Sequence, residues 1–107
     1  NIDAAQSESL AAESATMLAR IEATRVRQDA RILLGAAEVR YEALAGLGIS
    51  QAEEALRLTR IGYNAGKFSL LELLDVQTAL TTAKLNLIQA RLDRAEALAA
   101  LIRANAL

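Results

Sequence analysis

Apolar residues recur at alternating spacings of three and four along most of this chain, the periodicity of helices that pack along their length. From residue 3 to residue 64 the pattern predicts one long helix, although residues 4–19 define no clear buried face. Its predicted packing positions are Val26, Ala30, Leu33, Ala37, Leu44, Ala55, Leu58 and Gly62. At a rise of about 1.5 Å per residue, this helix would approach about 90 Å.

A second helix is predicted from about residue 69 to residue 105, and it carries two apolar rows in heptad spacing. The first seam consists of Leu73, Val76, Leu80, Ala83, Leu87, Ala90, Arg94, Ala97, Leu101 and Ala104, with Arg94 as its polar member. The second seam consists of Leu74, Thr78, Thr81, Leu85, Ile88, Leu92, Ala95, Ala99 and Ile102. A two-stranded coiled coil needs one seam, so two seams predict neighbours on two sides of this helix.

One segment interrupts the first helical pattern. Gly46 and Gly48 each cost roughly 1 kcal/mol in a helix interior, and Ser50 with Glu53 matches a capping box that could start a new helix. Apolar positions recur at spacings of three and four on both sides of this segment. The residues therefore allow either a continuous or kinked helix, or a break in the Gly46–Ser50 segment that gives a three-helix arrangement.

The two long helices are separated by a sharp turn at residues 64–69. Gly66 suits the left-handed position that ends a helix, and Ser69 with Glu72 forms a capping box that starts the next one. The predicted fold is therefore all-α, a long antiparallel helical hairpin. The first helix should overhang the second. Because the chain begins within a helical pattern, we expect residues 1–107 to be a single segment of a longer protein.

The amino-acid composition argues against several classes of function. The 107 residues are 53% hydrophobic but only 3% aromatic, and they include no Cys, His or Pro. Without His or Cys, neither a nucleophilic triad nor an ordinary zinc site can be assembled, and no glycine-rich phosphate loop is present. The formal net charge of −1, with both signs dispersed, leaves no basic stripe for nucleic acid. We predict no enzyme, cofactor, resident metal or nucleic-acid partner.

Several residues around the turn exceed what a plain connector needs, although each has a structural alternative. Tyr63 could cover the hairpin end or contact a partner, and Lys67 could be only a solvated charge. Phe68 either tucks under the hairpin or meets a partner. Glu72 and Asp75 lie on one helical face and could act as an acid pair, or could simply favour the helix N-terminus.

The pattern Y-x-x-G-x-x-[ST]-x-x-[DE]-x-L-[DE], from Tyr63 to Asp75, is followed by Q-x-x-L and a long Ala/Leu/Gln helix. This stretch resembles the outer membrane efflux protein family, the TolC-like channel subunits of tripartite pumps. It looks most like the branch that serves cobalt-zinc-cadmium efflux. The resemblance is good over roughly residues 50 to 103 and weaker before residue 50.

The resemblance implies a periplasmic hairpin from a Gram-negative outer-membrane channel, trimeric in its full-length form, that exports metal ions or small toxic compounds. The hairpin tip would dock on a periplasmic adaptor protein, and through it reach an inner-membrane transporter. By motif position, Glu72 and Asp75 would line the pore entrance, and Tyr63 would help to keep it closed. Gly66, Lys67 and Phe68 complete the expected tip contact.

Many relatives carry a basic residue two positions after the glycine, where this chain has Phe68. A salt bridge that keeps the entrance closed is therefore not carried over to this chain. Membrane contact is expected only through parts of the protein outside this chain. By itself the chain should form dimers or larger assemblies, or else break near Gly48 and fold into a three-helix bundle.

Two other functions remain open from the residues alone. A structural or scaffolding coiled coil would explain the heptads but not the tip motif or the double seam. A helical-bundle interaction module would need buried ligand groups, of which the chain offers few.

Overall fold

The computed structural model describes residues 2–107, which form helices and turns without any strand. The helices are α1 (Ile2–Ala43), a π-helical turn (Leu44–Gly48, here the π-turn), α2 (Ile49–Asn64) and α3 (Leu70–Asn105). The first three are continuous and form one long helix, against which α3 packs antiparallel. The hairpin measures 94 × 19 × 13 Å, which confirms the predicted extended all-α hairpin.

The chain does not break at its glycine-rich segment. At the π-turn the backbone N–H of Ile49 donates to the carbonyl of Leu44, five residues earlier, instead of the four of an α-helix. The helix therefore widens locally and continues, so the three-helix alternative does not form.

The capping box predicted at Ser50 and Glu53 is wrong. The Ser50 hydroxyl donates to the carbonyls of Gly46 at 3.3 Å and Leu47 at 3.1 Å, in the preceding turn. Because the helix runs through this segment, no free helix start exists for a cap to satisfy.

The first seam of α3 forms the interface of the hairpin. All ten of its residues are buried or half-buried, and Leu73, Leu80, Ala90 and Ala104 are buried. The large side chains of the second seam are exposed, with Leu85 at 61% and Ile88 at 60%. One of the two predicted seams thus packs within the hairpin, and the other has no partner among residues 2–107.

The packing face of the first long helix differs in part from prediction. Ala30 is buried and Ala37 and Leu44 are half-buried, as expected, but Leu33 is 63% exposed because its neighbour Leu34 takes the interior position. Two adjacent leucines fit the periodicity equally well. Only the packing against α3 distinguishes them.

Beyond the π-turn, the predicted packing positions Ala55 and Leu58 are also wrong, because both are exposed. Their neighbours Leu56 and Thr59 are half-buried instead. The packed face is therefore displaced by one residue on the tip side of the π-turn.

A polar layer joins the helices in the middle of the hairpin. The Arg94 guanidinium lies 3.8 Å from the centroid of the Tyr41 ring, a cation–π contact that explains an arginine in the first seam. Beside it, Arg40 donates to Asp93 at 2.9 Å, and Gln89 donates to the same carboxylate at 2.9 Å.

The first long helix overhangs α3, as predicted. Residues 2–22 are all exposed, and the packed face begins at Ala23, near the level where α3 ends. Exposed apolar side chains on this overhang include Leu10, Met17, Leu18 and Ile21.

Candidate functional site

The tip of the hairpin is a Schellman motif. After the last helical residue, Asn64, the backbone N–H of Lys67 donates to the carbonyl of Gly62 at 2.8 Å. The N–H of Gly66 donates to the carbonyl of Tyr63 at 3.0 Å. These two bonds satisfy carbonyls that the helix end would otherwise leave free. Gly66 has φ +76°, the left-handed conformation predicted for it.

The Phe68 ring packs directly on Gly62. A Cβ added at Gly62 would lie 2.2 Å from Phe68 Cδ2 and 2.3 Å from Cε2, so only glycine leaves room for the ring. Gly62 is buried, whereas Phe68 remains 44% exposed. The ring therefore tucks under the turn while part of it stays accessible at the tip.

A complete capping box starts α3. The Ser69 hydroxyl accepts from the Glu72 backbone N–H at 3.1 Å, and the Glu72 carboxylate accepts from the Ser69 backbone N–H at 2.9 Å. This confirms the predicted cap, and it fixes the Glu72 carboxylate at the tip.

The predicted tip residues converge at one end of the molecule. Tyr63, Lys67, Glu72 and Asp75 are all exposed within the segment that closes the hairpin, with Tyr63 at 38%. Glu72 and Asp75 lie three residues apart in the first two turns of α3. The tip thus combines one phenol, one cation and two carboxylates in contact with solvent.

Gly62 is buried, as its place in the predicted apolar row implies, but its further role at the tip was not predicted. It was expected only as a member of the apolar row, whereas it accepts the Schellman bond and seats an aromatic ring. The signal that could have identified it is the Gly-Tyr-x-x-Gly-x-Phe spacing, which puts Phe68 within reach of Gly62 once Gly66 reverses the chain.

A shallow groove runs along the side of the hairpin next to the tip. Its apolar lining comes from Leu56, Ile61 and Leu80. Its polar lining carries both signs of charge and consists of Arg57, Arg60, Glu53 and the uncharged Asn64.

Ion pairs on the exposed face of the first long helix lower the pKa values of two carboxyl groups. The hydrogen bonds from Arg57 to Glu54, at 2.6 and 2.9 Å, lower the pKa of the Glu54 carboxyl. The positive charge of Arg57 lowers the same pKa. Hydrogen bonds from Arg25 likewise lower the pKa of Glu22. Both pairs are solvent-exposed, so they contribute little to stability.

Neither a metal centre nor a membrane-spanning helix occurs within residues 2–107. The acidic residues form no group of three or more that could hold a metal ion, and no helix combines the length and apolar character needed to cross a bilayer.

The sequence model of the outer membrane efflux protein family matches residues 1–106. The chain therefore belongs to the outer membrane efflux protein family. Proteins of this family are channel and transport proteins, not enzymes, and they form trimeric channels that work with adaptor proteins. Neither the comparison with curated proteins nor that with solved structures gave a match.

Proposed function

We propose that residues 1–107 form a periplasmic hairpin in the α-helical barrel of an outer-membrane efflux channel subunit. The observation that carries this proposal is the closed tip, on which Tyr63, Lys67, Glu72 and Asp75 are exposed together in a chain of the efflux family. A hairpin that only reversed direction would need the Gly66 turn and the Ser69 cap alone.

The exposed second seam supports the barrel. A barrel places each helix between two neighbours, and α3 has one apolar row packed and a second, including Leu85, Ile88 and Leu92, left open. Copies of the subunit in a trimer would cover that row. The export of metal ions or small toxic compounds rests on the resemblance of the tip motif to cobalt-zinc-cadmium pumps.

In the proposed trimer the tip has two tasks. Glu72 and Asp75 line the entrance, where acids repeated by symmetry attract cations. Tyr63 and Lys67 contact the periplasmic adaptor, which links the channel to an inner-membrane transporter. Gly66 and Phe68 hold the shape of this contact, since Gly66 reverses the chain and Phe68 fills the space over Gly62.

Single-channel recording of the full-length trimer tests the entrance. Glu72→Gln combined with Asp75→Asn should lower the preference for cations, because it removes two charges per subunit without changing side-chain size. Glu96→Gln, which removes one exposed acid in the C-terminal half of α3, is the control and should leave the preference unchanged. Equal cation preference in the tip variant and the wild type would contradict the entrance role.

Export in cells tests the adaptor contact. Gly66→Ala and Phe68→Ala should abolish export while trimers still assemble in the outer membrane, and site-specific crosslinks from Lys67 to the adaptor should be lost. If these variants export normally and still crosslink, the tip is only a turn.

A further inference from the structure

The interface of α3 is a heptad without interruption. Ten of its buried and half-buried residues fall in two rows of strict seven-residue spacing, namely Leu73, Leu80, Leu87, Arg94, Leu101 and Val76, Ala83, Ala90, Ala97, Ala104. The other half-buried residues of α3 are Gln77, Asp93, Ala99 and Ala100. Any irregularity in the packing of the hairpin must therefore come from the first long helix.

The first long helix keeps a matching row only as far as the π-turn. Before it, Ala30, Ala37 and Leu44 are packed at intervals of seven. The same spacing would place Gln51 and Leu58 next, and both are exposed. The half-buried residues are instead Ala52 and Thr59, each one position later.

The companion row shows the same displacement. Leu34 and Tyr41 are half-buried seven residues apart, and the next member in that spacing after the π-turn would be Ala55. Ala55 is exposed, whereas Leu56 is half-buried. The π-turn therefore accommodates one extra residue relative to the heptad of α3, because its wider turn takes up the insertion.

Two adjacent faces of α2 each carry an apolar side chain, although only one of them packs against α3. The observed face offers Leu56 and Thr59, and the face one residue earlier offers Ala55 and Leu58, with one large apolar side chain in each. A straight α-helix through residues 44–48 would turn α2 by roughly 100° and place the second face on α3. We propose that α2 has two packing registers, one residue apart, and that the π-turn selects the observed one.

Substitutions at the two glycines of the π-turn should change the balance between the two registers. A Cβ at Gly48 would lie 3.2 Å from the carbonyl oxygen of Ala43, five residues earlier across the π-turn. A Cβ at Gly46 would meet nothing within 4 Å. Both changes raise α-helix propensity equally, but only Gly48→Ala disfavours the π-turn itself.

The rate at which a single thiol on α2 reacts shows which face of α2 is exposed, and therefore which register is populated. The chain contains no Cys, so Leu58→Cys and Thr59→Cys each introduce a single thiol, one on each face of α2. In the 107-residue chain, the Leu58→Cys variant should react with a maleimide faster than the Thr59→Cys variant. Adding Gly48→Ala should lower this ratio of rates by about fivefold, and adding Gly46→Ala should not change it.

Deletion of Gly46 provides a second test. Removing the inserted residue restores the heptad with Leu56 and Thr59 still facing α3, so the ratio should stay at least as high as in the parent chain. A two-register helix is overturned if Gly48→Ala leaves the ratio unchanged with helix content intact, if both alanine variants change it equally, or if the deletion reverses it. Because the readout is the packing of the hairpin alone, it is separate from any test of export.

Discussion

Gly62 lies directly under the Phe68 ring, with no room for a Cβ, and it yields the sharpest prediction for a single residue. Gly62→Ala would force the Phe68 ring away from its seat, since the added Cβ has no space. We expect a loss of roughly 1–3 kcal/mol in the free energy of unfolding, the usual cost of overpacking, measured by chemical denaturation.

The matched control is Gly35→Ala. Gly35 lies in α1, where an added Cβ meets nothing within 4 Å, so this change should stabilise the hairpin by up to about 1 kcal/mol through helix propensity. Gly62→Ala together with Phe68→Ala should recover part of the loss. No difference between the two glycine variants would mean that the ring does not rest on Gly62.

A substitution at Gly66 should destabilise the hairpin for a different reason. Its Cβ would also meet nothing within 4 Å, but its φ of +76° lies in the left-handed region. Gly66→Ala should therefore cost about 1 kcal/mol or more from backbone strain alone. Gly66→Asn should cost less, because Asn tolerates this region better. Thermal unfolding with Asn no better than Ala would contradict a strain-based effect.

Two serines in similar sequence contexts allow a direct comparison. Ser69 caps α3, whereas Ser50 bonds only to carbonyls of its own helix. Ser69→Ala should destabilise the hairpin by about 1 kcal/mol, and Ser50→Ala should be neutral or slightly stabilising. Melting temperatures that fall equally in both variants would remove the distinction between cap and helix interior.

At the scale of the helix, the ion pair on α2 gives a pH-dependent prediction. Arg57 holds the pKa of Glu54 below its ordinary value of 4.5. Since the pKa is lower in the folded than in the unfolded state, the stability from this pair is present above the unfolded pKa. It is lost as the pH falls through the folded pKa.

Arg57→Gln should raise the pKa of Glu54 toward its ordinary value, as followed by NMR titration of the Glu54 side chain. Arg60→Gln removes an equal charge that makes no hydrogen bond to Glu54, so it should cause a smaller change. A Glu54 titration that is the same in the Arg57 variant and the parent would exclude the pair in solution.

For the whole molecule, the exposed second seam predicts association. Leu85, Ile88 and Leu92 are 61%, 60% and 51% exposed along one face of α3. With the first long helix continuous, the chain cannot cover this face by folding back as a three-helix bundle. The chain should therefore be dimeric or larger in light scattering, driven by burial of apolar area.

Leu85→Glu with Ile88→Glu should give a monomer, because each charge would have to be buried in the assembly. The control places one such charge on the polar face of the same helix segment, as Asn86→Glu, and should leave the assembly intact. A monomeric parent chain would show that the second seam does not drive association at these concentrations.

The helices, the heptad of α3 and the reversal at Gly66 and Ser69 follow from the amino-acid sequence alone. Each of these depends on local chemistry: the spacing of apolar residues, a left-handed glycine and a capping box. The sequence also predicts that the tip residues lie together, because Tyr63, Lys67 and Glu72 all lie in the tight turn or next to it.

The packed face of the first long helix depends on its contacts in the folded hairpin. Leu33 and Leu34, and likewise Leu58 and Thr59, satisfy the periodicity almost equally, so the choice falls to the contacts with α3. The π-turn makes that choice on the tip side, because one extra residue in a widened turn rotates every later position. The same holds for Gly62, whose role exists only once the reversed chain brings the Phe68 ring back onto it.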